Sequence, residues 1–315
     1  MTSPFDPDTP HDTNRVLALY EWLRPEMPPV RQAVSQHAPR LRDLMGEFDA
    51  LLLDGYGVLN VGAEMVPGAD LLLTEAAAAG VAVIVVTNGG SKKSTVTAAK
   101  YRNLGLDVTN QQVVSSRDAL EARLARPGSA IRHLGVVDTW STLPDLPEVR
   151  ATALTPADPQ AWHNVDAIGL FGATRWDDEW QACLVDAAAG GVPVMVANPD
   201  IAAPQLHGLS REPGYWAVQA RHQLGADMQL EWYGKPHQPV FDQALAALED
   251  TTGRTNWNSE RIAMVGDTLH TDILGGMGAG LKTVLITGHG LFSDGSAADA
   301  IAATGIAPDY IVDTV

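Results

Sequence analysis

From Ala50 to Leu53 the chain is apolar without a break, and it then stops on Asp54, followed by Gly55-Tyr56-Gly57. With no polar position on either alternating face, such a run predicts a strand buried on both sides, as in a parallel sheet covered by helices. Val81 to Asn88 repeats the pattern and ends on Thr87-Asn88, and Arg261 to Asp267 repeats it again and ends on Gly266-Asp267. Gln112 to Ser116 and Lys282 to Thr287 read as two further strands, the second of them the last.

Between the first two runs, Pro67-Gly68-Ala69-Asp70 opens an Ala/Leu-rich helix that stops at Gly80. Strand, helix and strand at this spacing make a right-handed βαβ unit with parallel strands. Asp54 and Thr87-Asn88 therefore share the carboxyl edge of the sheet, where open α/β sheets form their ligand crevice. Gly89-Gly90-Ser91 is expected to open a helix through about Leu104, so that free N–H groups and a positive helix end suit an anion such as phosphate. Other helices are expected after Ser116 to Ala125, from Tyr215 to Gly225 as a return to the core, from Val240 to Leu248, and up to Gly280.

Arg126-Pro127-Gly128 breaks the pattern, and residues 129–207 carry strand signals of their own at Ile131 to Val137, Ala167 to Phe171 and Val192 to Ala197. The expected organisation is thus a doubly wound parallel α/β core, residues 46–128 and 208–315, with an inserted, smaller and movable α/β cap at 129–207. Residues 1–45 form an extension. From Thr13 to Met45 it reads as helical, broken at Pro25 to Pro29, with Leu17, Tyr20 and Leu23 on one stripe and Val34, Leu41 and Leu44 on a second. Its expected use is packing or the pairing of a homodimer.

Composition narrows the partners. The 315 residues carry a net charge of −17 with only 21 Lys+Arg, which argues against nucleic acid, since phosphate backbones are met by clustered basic side chains. No apolar segment approaches the about 20 residues needed to cross a bilayer, and Met1 to Asp8 lacks the basic and apolar parts of a secretory signal, so a cytoplasmic protein is expected. Cys183 is the only cysteine, which leaves no intramolecular disulfide and no multi-thiolate metal site.

The chemistry lies in what the strands deliver to one edge: Asp54, Thr87 and Asp267, with Asp272 close behind and Lys235 in the turn Gly234-Lys235-Pro236. Two carboxylates at adjoining strand ends repel unless a cation lies between them, which argues for a hard divalent ion on oxygen ligands, Mg²⁺ foremost. An Asp beside that ion, a Lys and a helix N-terminus is set up to attack phosphorus.

Asp54-Gly55-Tyr56-Gly57-Val58-Leu59, Thr87-Asn88, Gly234-Lys235-Pro236 and Gly266-Asp267-Thr268-Leu269-His270-Thr271-Asp272 resemble motifs I to IV of the haloacid dehalogenase superfamily. The insertion between motifs II and III, with Ala197-Asn198-Pro199-Asp200 inside it, is similar to the class IIA, NagD-like branch, which includes p-nitrophenyl phosphatases. The resemblance spans residues 48–315. It implies Asp54 as nucleophile and metal ligand, and Thr87, Asn88 and Gly89 as holders of the substrate phosphate. It further implies Lys235 as the neutralising cation, and Asp267, Asp272 and the Tyr56 backbone carbonyl as the rest of the Mg²⁺ site. The implied activity is hydrolysis of a small phosphorylated metabolite through an aspartyl-phosphate.

Tyr56 departs from the family pattern, in which phosphatases carry there a second Asp that protonates the leaving oxygen and then activates water. A phenol of pKa about 10 is a poor base at neutral pH, and loss of a positioned acid-base group typically costs about 10²- to 10⁴-fold. Two alternatives stay open: a phosphate- and Mg²⁺-binding regulatory protein with little turnover, and a hydrolytic 2-haloacid dehalogenase, whose motif I also reads Asp-x-Tyr. His270 is a candidate stand-in for the base, and His237, His289, Arg175, Trp176 and Trp180 are candidates for the entrance and cap contacts. Gly275 to Gly280 is no dinucleotide fingerprint, because it ends a helix rather than opening one.

Overall fold

The computed structural model describes residues 3–138, 142–205 and 208–315. Its larger sheet has seven strands in the order Gln36–Arg40, Tyr310–Thr314, Lys282–Ile286, Ile262–Gly266, Ala50–Leu53, Ala82–Thr87 and Val113–Ser115, all parallel. Leu51 and Leu53 belong to the apolar cluster on one face, Ala50 and Leu52 to that on the other, so the unbroken apolar run reflects a strand covered on both sides. This is the doubly wound arrangement the sequence implies.

The smaller sheet has five parallel strands, in the order Leu230–Trp232, Val194–Val196, Ala167–Leu170, His133–Val137 and Arg150–Ala153. Helices Asp178–Ala189 and Pro213–Leu224 pack on it, with Leu184, Ala217 and Ala220 in one cluster with Ile168 and Val194. The helix expected to return to the core therefore stays with the cap, because its small residues face the cap sheet. That sheet also runs on through Trp232. His207, the expected end of the cap, lies outside the described residues.

The N-terminal extension divides at its prolines. Asp12 caps a helix, α1 (Thr13–Leu23), by accepting from the Arg15 N–H, and the helix gives way to a tight turn at Arg24–Glu26 that holds Pro25. Val16, Leu19, Tyr20 and Leu23 are buried. At about 1.5–3 kcal/mol for each such side chain, packing holds an 11-residue helix that would be marginal alone. The second helical stripe is not found. Gln36–Arg40 is instead the outer strand of the large sheet, Leu41–Glu47 forms 3₁₀ turns, and Val34 is 90% exposed. Pro39 explains this: it cannot sit inside a helix, whereas an edge strand tolerates its missing N–H.

Two smaller expectations also shift. The helix after the second strand begins at Ser94 rather than at Ser91, so Asn88 to Lys93 is a loop. The chain does not end its sheet at Thr287, since helix Ala297–Thr304 carries it to one more strand, Tyr310–Thr314.

Candidate active site

Ala50–Leu53 lies between Ile262–Gly266 and Ala82–Thr87, and the Asp54 N–H donates to Val265 O at 2.8 Å. Asp54, Asp267 and Thr87 are thereby carried on three neighbouring strand ends. This is a switch point of the sheet, because the chain runs outward from Ala50–Leu53 in one direction and returns on its other side. Behind Gly266-Asp267 the chain makes a buried π-helical turn, Leu269–Ile273, which brings Asp272 back over the strand end. Gly266 permits this: a Cβ there would run into the Asp272 carboxyl group.

One oxygen from each of Asp54, Asp267 and Asp272 can be chosen so that all lie within 4.8 Å of one another. Lys235, 1% exposed, places Nζ 2.7 Å from Asp54 Oδ1 and 2.7 Å from Asp272 Oδ1. Burial lifts Asp54 to about 7 against the pull of Lys235, and burial with the charges of Asp272 and Asp54 lifts Asp267 to about 8. For Lys235 burial works downward, but Asp272, Asp54 and Asp200 outweigh it and hold the ammonium well above its ordinary value. One ammonium thus faces a group of carboxylates that it only partly neutralises, the donor set that a hard divalent cation completes.

The oxygens are not equivalent. Asp54 Oδ1 accepts from the Gly55 N–H and from Lys235. Asp267 Oδ2 accepts from the Leu291 N–H (2.9 Å) and Oδ1 from the Thr268 hydroxyl (3.1 Å). Asp272 has both oxygens engaged, Oδ1 by Lys235 and Oδ2 by the Thr268 N–H (3.1 Å).

The Asn88 carboxamide is engaged with the protein. Its Nδ2 donates to Asp200 Oδ1 (2.8 Å) and Lys235 O (3.0 Å), and its Oδ1 accepts from the Lys235 N–H (2.7 Å). It fixes the lysine turn and at the same time ties in the cap loop. Thr87 Oγ1 accepts from the Gly89 N–H at 3.1 Å, and Gly90 lies so close to the cap that a Cβ would meet Phe171 O at 2.8 Å.

Tyr56 Oη donates to Pro204 O at 2.7 Å, and burial raises the phenol further above its ordinary value. His270 is turned away from the candidate base role. Its Nε2 lies 2.7 Å from Glu21 Oε1 and its ring stacks on Tyr20. His237 stacks on Trp232, and burial brings it down to about 4. His289 sits 3.1 Å from Thr314 Oγ1. Trp176 stacks on Trp216 at the wall of a cleft, whereas Trp180 packs edge-on to Trp162 among the cap apolar residues. Arg175 is exposed.

Sequence reasoning named Asp200 without a role. Burial lifts its carboxyl to about 7, and the charges of Lys235 and Asp272 act on it. A cleft of about 880 Å³ runs between Gly89-Gly90-Ser91 of the core and Phe171, Trp176, Arg211 and Trp216 of the cap, with His11 of the extension also lining it. Arg211 and Trp216 had no motif to mark them, since only the tertiary fold brings them to this cleft.

A carboxylate cluster and a buried lysine at a sheet switch point, beneath an inserted cap, define a capped α/β hydrolase. The haloacid dehalogenase-like hydrolase pattern matches residues 51–143 and the HAD-hydrolase-like pattern residues 232–315. Chronophin of Bos taurus is 30% identical over 291 residues, covering 87% of this chain and 93% of its own. Dihydroxyacetone phosphatase of Corynebacterium glutamicum is 28% identical over 241 residues, 75% of this chain and 79% of its own. A possible sugar phosphatase of Cytophaga hutchinsonii shares the fold with a TM-score of 0.75 at 23% identity, over 89% of this chain and 98% of its own. The chain belongs to the haloacid dehalogenase-like hydrolases, on the side of that family whose members are phosphoric monoester hydrolases.

Proposed function

We propose that this chain is a Mg²⁺-dependent phosphatase of a small phosphorylated metabolite, working through an aspartyl-phosphate on Asp54. The observation that carries the reading is the meeting of Asp54, Asp267 and Asp272 within 4.8 Å around one buried ammonium. Asp54 and Asp267, with the Tyr56 carbonyl, would hold the cation directly. The Thr268 hydroxyl on Asp267 Oδ1 can rotate away and free that oxygen, whereas Asp272 is held by the Lys235 ammonium and the Thr268 backbone N–H and would act through water. A bound divalent ion supplies charge neutralisation for the phosphoryl group.

Lys235 and the Gly55 N–H engage Oδ1 of Asp54, which leaves Oδ2 to attack phosphorus. The Asn88 N–H and the Thr87 hydroxyl would meet the transferring oxygens, with that hydroxyl oriented by the Gly89 N–H that donates to it. As the Asp54–phosphorus bond forms and the ester bond breaks, the leaving oxygen needs a proton. Tyr56 is tied to Pro204 O, so Asp200, protonated near neutrality, is the group we assign to donate it. The resulting carboxylate then takes a proton from the water that attacks phosphorus and releases Asp54 with inorganic phosphate. The likeness to dihydroxyacetone phosphatase supports a substrate of a few carbons, and the cleft that opens from Gly89 and Gly90 toward the cap offers room for the end remote from phosphorus.

The test is phosphate release from a panel of phosphomonoesters with Mg²⁺ or chelator, for the native chain and Asp54→Asn. Metal-dependent release that vanishes in Asp54→Asn, with an acid-stable phosphoenzyme trapped only in the native chain, is the expected result. Release that survives Asp54→Asn would overturn the assignment.

A further inference from the structure

The phosphatase reading makes no use of α1, yet this helix touches both halves of the molecule. Leu17 joins the core cluster around Leu269, Ile273 and Leu274, whereas Val16, Leu19 and Tyr20 pack against Ile201, Tyr215 and Val218 of the cap. Beyond the helix, Arg31 pairs with Asp309 of the core at 2.7 Å and Glu26 with Arg221 of the cap at 2.9 Å.

From the last turn of α1, two adjacent residues reach toward the site. Glu21 Oε1 lies 2.7 Å from Nε2 of His270, which stands in the turn between Asp267 and Asp272. The Tyr20 ring stacks on the same imidazole, centroids 4.9 Å apart and planes 7° from parallel. Tyr20 Oη accepts from the N–H of Ile201 at 3.1 Å, and Ile201 follows Asp200 directly. Asp200 in turn holds Asn88. The helix thus grips the acid-bearing turn of the core and the Asp200 loop of the cap through neighbouring side chains.

We propose that α1 is a clasp between cap and core, in which Tyr20 and Glu21 are positioning residues: Glu21 fixes the turn that presents Asp267 and Asp272 to a divalent cation, and Tyr20 fixes the Asp200–Ile201 loop above it. Neither touches substrate. A cap held in this way keeps its cleft formed between turnovers, in place of the free swing expected from the sequence. The proposal rests on the cation site argued above.

The test compares Glu21→Ala, Glu21→Gln and Tyr20→Phe in the full chain. Glu21 is 40% exposed on its side chain and Tyr20→Phe keeps the buried ring, so all three keep the fold, which circular dichroism checks. Calorimetric titration with Mg²⁺ alone should show about tenfold weaker binding in Glu21→Ala, the usual weight of a group that supports a ligand-bearing loop. Glu21→Gln, whose carboxamide oxygen still accepts from His270, should recover most of it. Tyr20→Phe should leave Mg²⁺ affinity unchanged, speed amide exchange at Ile201, and lower kcat about three- to tenfold, the weight of one hydrogen bond on the loop that carries Asp200. Unchanged Mg²⁺ affinity in Glu21→Ala, or unchanged exchange and kcat in Tyr20→Phe, overturns the clasp. A native chain that binds no Mg²⁺ overturns the cation site instead, so the two failures are distinct.

Discussion

Lys235 Nζ stands 2.7 Å from Asp54 Oδ1 inside the protein, and the same nitrogen is 2.7 Å from Asp272 Oδ1. Taking one partner out of such a buried group costs about 3–5 kcal/mol. Lys235→Met should lower the unfolding free energy by that order at neutral pH, read from the urea midpoint at unchanged m-value. The loss should shrink in acid, where a protonated carboxyl needs no cation. Equal losses at about pH 5 and about pH 8 would contradict the assignment of the carboxylates as the source of the cost.

Burial raises Asp54 to about 7 and Asp267 to about 8. The folded chain therefore keeps protons that the unfolded chain gives up near pH 4, and these groups cost stability as pH rises from about 4 to about 8. A cation that takes the place of the protons reverses this. Without metal the melting temperature should fall across that window, and the gain on adding Mg²⁺ should grow across it. Scanning calorimetry with and without Mg²⁺ checks both, and a gain independent of pH would count against a carboxylate site.

Tyr56 and Asp200 divide differently from their motif positions. Tyr56→Phe removes one hydrogen bond to Pro204 O and should cost about 1 kcal/mol of stability with little change in kcat. Asp200→Asn should lower kcat by about 10²-fold or more, and further for alkyl than for aryl phosphates, whose leaving groups need a proton less. Tyr56→Asp should raise the rate on alkyl phosphates. Equal kcat for Asp200→Asn and the native chain would remove Asp200 from proton transfer.

Gly290 adopts a left-handed φ of 74°, and a Cβ there would run into Asp267 Oδ2. Gly57, at φ 72°, brings the opposite loop to the same carboxylate. Gly290→Ala should therefore push Asp267 aside, weaken Mg²⁺ binding by about tenfold and lower the melting temperature. Calorimetric titration that finds native affinity in Gly290→Ala would show that Asp267 does not hold the cation.

The parts of this fold that were legible in the sequence are those whose environment is uniform. Leu51 to Leu53 and Ala263 to Val265 are buried throughout, and a strand covered on both faces leaves an unbroken apolar run. The strands that escaped notice are mostly at sheet edges. Gln36–Arg40, Arg150–Ala153 and Leu230–Trp232 each end a sheet, and their half-exposed residues carry no run to read. Asp54, Lys235 and Asp267 were legible because each follows a strand or turn with its own signature. Tyr20 and Glu21 were not: an amphipathic helix reads the same whether its stripe meets one partner or two. Asp200 lacked a role for a similar reason, since its pairing with Asn88 spans 112 positions.

The clasp also bears on the order in which the chain can be assembled. Tyr20 meets Ile201 across 181 positions and Glu21 meets His270 across 249. During synthesis α1 emerges well before Ile201 and His270, so neither of its docking surfaces exists until those segments have followed. Closing loops of that length comes late in folding. A helix made before its partners is therefore seated after them, and until then its apolar stripe of Val16, Leu19, Tyr20 and Leu23 is open to chaperones, proteases and other nascent chains.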